Sequence, residues 1–175
     1  MRSPLAALVR DRRGNAAIEQ ALLLPLMLAL TLGVVEISGL ALDYHRANEA
    51  TRRGARLAAI SPAIVSVSSA VVTCTGTGEA SVASGGSAVV APESYVALLA
   101  EMRRILPAME PSQLRITYAP SGIGDPSLPG GVLPHVTVGL SGYAHSFVAL
   151  HKLAPGLAGR LTLPDFATSY LSNGT

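Results

Sequence analysis

Tryptophan is absent from the chain of 175 residues, cysteine occurs once, and aromatic residues make up only 4%. Few flat side chains are therefore available for stacking on bases. The small net charge of +2 comes from arginines gathered in two places, Arg2 to Arg13 and Arg46 to Arg56, rather than along one binding face. Nucleic acid is not an expected partner. A lone cysteine, Cys74, excludes an internal disulfide framework and a thiolate metal cluster. It reads either as a small buried hydrophobe or as half of an intermolecular bridge. Charged residues are also scarce, 14% against 49% hydrophobic, and mean hydropathy is +0.42. A composition this apolar, in a chain with room for one ordinary domain, points to a membrane segment.

Patterns of catalysis are missing as well. The glycine-rich stretches GTGEASVASGG and GIGDP lack the Gly-Lys-Ser/Thr ending that places a lysine and a hydroxyl on phosphates. His45, His135, His145 and His151 contain no pair four residues apart that would set two imidazoles on one helical face. The stretch GLSGY does not match the strained serine turn Gly-x-Ser-x-Gly, and Asp125 and Asp165 stand alone rather than as a carboxylate pair. No enzyme activity, cofactor, metal or small-molecule substrate is expected.

What is present is a long apolar run. From Ala21 to Val35 only Pro25, Thr31 and Gly33 interrupt strongly apolar residues, and the pattern resumes after Glu36 through Leu42. A helix from Ala16 to Leu42 would be about 40 Å long, enough to cross a hydrocarbon core of about 30 Å. Glu19 and Glu36 are costly within such a helix and call for partners. Three readings compete. A cleaved secretory signal would need an A-x-A-like site, but Glu36-Ile37-Ser38-Gly39-Leu40 follows the apolar core. A plain single-pass anchor leaves the glutamates as tolerated charges near its ends. A prepilin-type leader ends in a glycine and places a glutamate fifth in the mature chain; Gly14 followed by Asn15, Ala16, Ala17, Ile18 and Glu19 has that spacing. Cleavage after Gly14 would create an α-amino cation. A neighbouring subunit's Glu19 could neutralise it, offsetting part of the burial cost of both charges and setting the axial register. Pro25 would kink or loosen the helix early in its course.

The stretch RRGNAAIEQALLLPLMLALTLGVVEISGLAL, followed by ATRRGARLAA, resembles the TadE-like family, pseudopilins of the tight-adherence (Tad) pilus system. The family features fall on Arg12, Arg13 and Gly14, then Glu19, Leu24-Pro25, Glu36, and finally Ala50, Gly54, Ala55 and Arg56. Gln20 stands where an aromatic usually follows the glutamate. The likeness covers about the first third of the chain. It implies a minor pilin in pilus biogenesis and surface adhesion, with a prepilin peptidase, other pilins and the Tad secretion machinery as partners. The alternative, from another class, is an uncleaved membrane-anchored binding domain. Arginine counts on the two sides of the apolar run tie, but the short N-terminal tail is the harder end to translocate. The expected location is the bacterial inner membrane, crossed once, with the N-terminus cytoplasmic and the C-terminal part outside.

The expected organisation is a leader over 1–14, a transmembrane helix and amphipathic stem over 15–60, and an extracytoplasmic domain over 61–175. In the stem, Ala47, Ala50, Gly54, Leu57 and Ala58 recur at three- and four-residue spacing. They would form a stripe that packs on the domain or on another subunit, or the apolar side of a solvated helix. Ser61-Pro62 should end the helix. Beyond it the pattern predicts a strand in AIVSVSSAVVTC, a polar loop in GTGEASVASGGS and a helix from Pro92. It predicts alternating strands in QLRITYAP and HVTVGLSGY with the turn-rich SGIGDPSLPGG between them, a broken helical piece in LHKLAPGLAG, and a last strand interrupted by Pro164. The fold class is α+β, a long N-terminal transmembrane helix and stem followed by a small antiparallel sheet packed on a helix.

Overall fold

Helical periodicity does stop at Ser61-Pro62. In the computed structural model, which describes residues 13–66, 71–77, 80–83, 89–124, 132–153, 156 and 159–172, the first helix, α1, spans Arg13–Ile60. The chain divides into two units, Met1–Gly39 with Ser146–Gly159, and Leu40–His145 with Arg160–Thr175.

The larger unit is built on an antiparallel sheet ordered β2-β1-β3-β4-β7. Its strands are β1 (Val72–Thr77), β2 (Ala80–Ala83), β3 (Leu114–Gly124), β4 (Val132–Leu140) and β7 (Phe166–Leu171). Strands β5 (Ala144–Ser146) and β6 (Arg160–Thr162) pair separately. Strict alternation sends one face inward. Cys74 pairs with Ile116, Ile116 with Val138, and Val138 with Thr168, while Leu114, Leu140 and Phe166 make a parallel row. On the opposite face Thr73, Thr117, Thr137 and Ser169 line up, joined by hydroxyl contacts of 3.2 Å (Thr73 to Thr117) and 2.7 Å (Thr137 to Ser169).

Two helices close the inner face. Helix α2 (Pro92–Ile105) starts on a proline, whose missing N–H no helical carbonyl requires there, and buries Tyr95, Leu98, Leu99 and Met102. From α1 come Ala47, Ala50, Thr51, Gly54, Ala55, Ala58 and Ala59, all buried. Small side chains let the helix axis approach closely, so a Cβ placed on Gly54 would lie 2.8 Å from Met102 Sδ and 3.2 Å from Val138 Cγ1. The stem stripe therefore packs on the domain. The same need for close approach fixes Gly76, where an added carbon would run into the Pro111 carbonyl and the Tyr95 hydroxyl.

In the smaller unit the companion of α1 is a turn carrying the short helix α3 (Leu150–Leu153). Its neck is closed where the Phe147 amide donates to the Gly159 carbonyl at 2.9 Å, and Lys152 N–H donates to Ala149 C=O at 3.0 Å.

The α2 helix, the inward residues of β3 and β4, the short helical piece at 150–153 and the break at Pro164 agree with the sequence pattern. Three assignments are corrected. Of the strand expected in AIVSVSSAVVTC, residues 67–70 lie outside the described residues, β1 is formed from Val72, and Val65 makes an isolated bridge to Val89. The polar stretch after it is not simply a loop, because β1 continues to Thr77 and pairs with β2. An outer strand needs backbone partners rather than buried side chains, so weak apolar content did not prevent it. Likewise β3 runs on to Gly124 through a register shift between Pro120 and Gly124, with Gly122 and Gly124 at positive φ of 73° and 106°. The residues of the expected leader up to Arg12, residues 78–79 and 84–87 of the expected polar loop, and the expected turn at 125–131 with Asp125-Pro126 lie outside the described residues.

Candidate functional site

Among the described residues the apolar first half of α1 is largely uncovered by protein. Leu22 is 73% exposed, Leu24 67%, Met27 64% and Val35 66%, and none of the most apolar window is buried. Such a helix is stable only where lipid or other apolar helices cover it. The hydroxyls of Thr31 and Ser38 turn back onto the helix's own backbone. Thr31 Oγ1 donates to the carbonyls of Met27 and Leu28, each at 3.0 Å, and Ser38 Oγ to that of Val34 at 2.8 Å. Pro25 sits inside the helix, whose assignment continues across it.

Gly14 and Asn15 lie in the first turn of α1. Among the described residues a Cβ added to Gly14 would meet nothing within 4 Å, and its φ is not positive, so neither their packing nor the backbone conformation calls for glycine there. Glu19 is exposed, one turn further, and makes no ion pair with another described residue.

Glu36 is placed differently. Its carboxylate accepts three backbone N–H groups from the turn, from Val148 at 2.6 Å and Ala149 at 2.5 Å on Oε1, and from Leu150 at 2.9 Å on Oε2. Charge-assisted bonds of this kind are about twice as strong as neutral ones.

The motif residues of the stem separate by role. Ala50, Gly54 and Ala55 are buried in the seam with the sheet, whereas Arg56 is exposed. Arg56 lines a shallow groove with Arg52, Arg53 and Tyr170. There Arg53 is paired with Glu49 at 2.7 Å and lies 3.9 Å from Glu101.

One cluster had no signal in the sequence. Asp43 Oδ2 lies 2.7 Å from His145 Nδ1, Asp43 Oδ1 lies 3.9 Å from Arg46, and the Tyr143 hydroxyl donates to the same carboxylate. Burial first, and then the Asp43 charge and the hydrogen bond to it, hold the Tyr143 phenol above its ordinary pKa. Only an acid just past the last apolar residue could have hinted at it.

Cys74 is 1% exposed, and burial pushes its thiol up to about 11, which suits the small-hydrophobe reading. Among the described residues no group of three or more His, Cys, Asp or Glu side chains could hold a metal ion.

Compared with known families, residues 14–56 match the family model described as TadE-like protein. The match begins at Gly14 and ends at Arg56, so it covers the apolar helix and the stem but not the sheet. Comparison with curated proteins and with solved structures gave no match.

Proposed function

We propose that this chain is a TadE-like minor pilin of the Tad pilus system, cleaved after Gly14 by a prepilin peptidase. The observation that carries the reading is the TadE-like match over 14–56, which starts on the glycine at the expected cut and takes in Glu19 five residues on. That no described residue packs around Gly14 supports a glycine kept for close approach by a peptidase backbone. Glu19, exposed beside the long apolar run, is available to a neighbour's new amino terminus. In this reading α1 from Ala16 to Leu42 lies first in lipid of the bacterial inner membrane, N-terminus inside, and later among other pilin helices. Pro25 supplies a pliable step, and the domain from 61 onward faces outward to serve pilus biogenesis and adhesion.

The test is the intact mass of the protein from membranes of its host, with and without the prepilin peptidase. A species starting at Asn15 that disappears without the peptidase is the expected outcome. A chain that keeps Met1 to Gly14 in both strains would replace this reading with an uncleaved anchored binding domain. Glu19→Gln should then separate assembly from insertion, with the variant still reaching the membrane but no longer assembling with other pilins.

A further inference from the structure

Two oddities of the smaller unit account for each other. The helix carries a carboxylate, Glu36, inside its apolar stretch, and the facing turn offers three consecutive backbone N–H groups outside any long helix. In water neither group would need the other. Within hydrocarbon both do, because irregular backbone is tolerated there only when protein satisfies its polar groups. From the geometry we infer that the turn Phe147–Leu153 is a second membrane contact, an apolar wedge that enters the outer leaflet beside α1. The inference rests on the membrane reading of α1.

The heights agree. At 1.5 Å per residue Glu36 stands about 30 Å along the helix from Ala16, at the far edge of a hydrocarbon core about 30 Å thick. The half-buried helix positions Ala29, Leu32, Gly33 and Glu36 form one stripe at three- and four-residue spacing, and the companion of α1 in this unit is Ser146–Gly159. Ala29 stands about 20 Å along the helix on the same scale, so that face reaches well below the membrane surface. The turn is chemically suited to lipid. Val148 is 73% exposed, equal to Leu22 on the bare helix, and Phe147, Ala149 and Leu150 are half-buried beside it. The exposed Lys152 follows, placed to meet anionic headgroups as apolar residues go down. The wedge continues the apolar surface of the helix. Lipid, which covers that helix, is therefore its occupant.

The test uses the full chain with Cys74→Ala, carrying one bimane-labelled cysteine at a time in phosphatidylethanolamine/phosphatidylglycerol vesicles. The labelled variants are Val148→Cys, Leu30→Cys and Ser169→Cys. Quenching by spin-labelled lipid is compared with quenching by aqueous iodide. At position 148 lipid quenching should exceed iodide quenching several-fold, as at 30, while 169 should show the reverse. Adding Glu36→Ala should shift position 148 toward iodide. A label at 148 that iodide reaches, or that neither quencher reaches because protein covers it, overturns the wedge while lipid quenching at 30 leaves the anchor standing. Loss of lipid quenching at 30 would overturn both.

Discussion

Replacing glycine inside a helix usually helps, so Gly54→Ala is an informative perturbation. Helix propensity alone favours alanine by about 1 kcal/mol. Against this, the new Cβ would lie 2.8 Å from Met102 Sδ, 3.1 Å from Met102 Cγ and 3.2 Å from Val138 Cγ1. The comfortable separation of carbon atoms is about 3.5–4.0 Å. Met102 and Val138 are both at 0% exposure, so neither can swing into solvent, and overpacking of a full core costs about 1–3 kcal/mol. The net expectation is a loss of up to about 2 kcal/mol. A second variant makes the argument sharper. Met102→Ala by itself should cost about 2–5 kcal/mol by leaving a cavity. In that background the two closest atoms facing position 54 are gone and Val138 Cγ1, at 3.2 Å, has vacated space to move into, so Gly54→Ala should reverse sign and stabilise by up to about 1 kcal/mol. The coupling between the two sites is then about 1–3 kcal/mol. Guanidinium unfolding of the four full-length proteins in detergent, followed by circular dichroism, measures the cycle. An effect of Gly54→Ala that is the same in both backgrounds would refute the close helix-to-sheet seam.

With its thiol pushed up to about 11 from an ordinary 9.0, Cys74 should hold about a hundredfold less thiolate at pH 8 than an unfolded chain. Alkylation by iodoacetamide, followed by mass spectrometry, should be slowed at least that much in the folded protein, and a rate within a few-fold of the unfolded one would contradict the burial. Because the folded value is the higher one, the associated stability is fully present below about pH 9 and lost as pH rises through about 11, which a pH series of unfolding midpoints can follow. Tyr118→Phe removes the hydroxyl that accepts the buried Ile64 N–H at 3.2 Å. It should cost about 1–3 kcal/mol in the same unfolding assay, and a variant as stable as the parent would show that the amide has another partner.

Periodicity made much of this molecule readable in advance. The stop at Ser61-Pro62, the Tyr95-Leu98-Leu99-Met102 face and the alternation of Leu114, Ile116 and Tyr118 are all local signals, set by which side of an element meets the core. The β1–β2 hairpin was not readable, because small polar residues are compatible with both a loop and an outer strand. The acids show the same boundary. The place of Glu36 within an apolar helix marked it as needing a partner, but the partner amides lie more than a hundred residues away, and so does His145 from Asp43. Nothing local encodes such pairings. The candidate processing and register residues Gly14 and Glu19 rest on a short, contiguous spacing, because their proposed partners are other molecules.

Helix α1 changes occupation along its length without a change of backbone: its later turns are a wall of the larger unit's core. A soluble fragment begun at Ser61 would therefore lose more than its tether. It would expose the sheet face that Ala47, Ala50, Gly54 and Ala58 now cover, and should aggregate or bind detergent for that reason alone. The place to trim is inside the helix near Leu40, where the larger unit begins. Heritable change is bound by the same sharing, since a substitution in these later turns that suits an outside partner must also leave the domain able to fold.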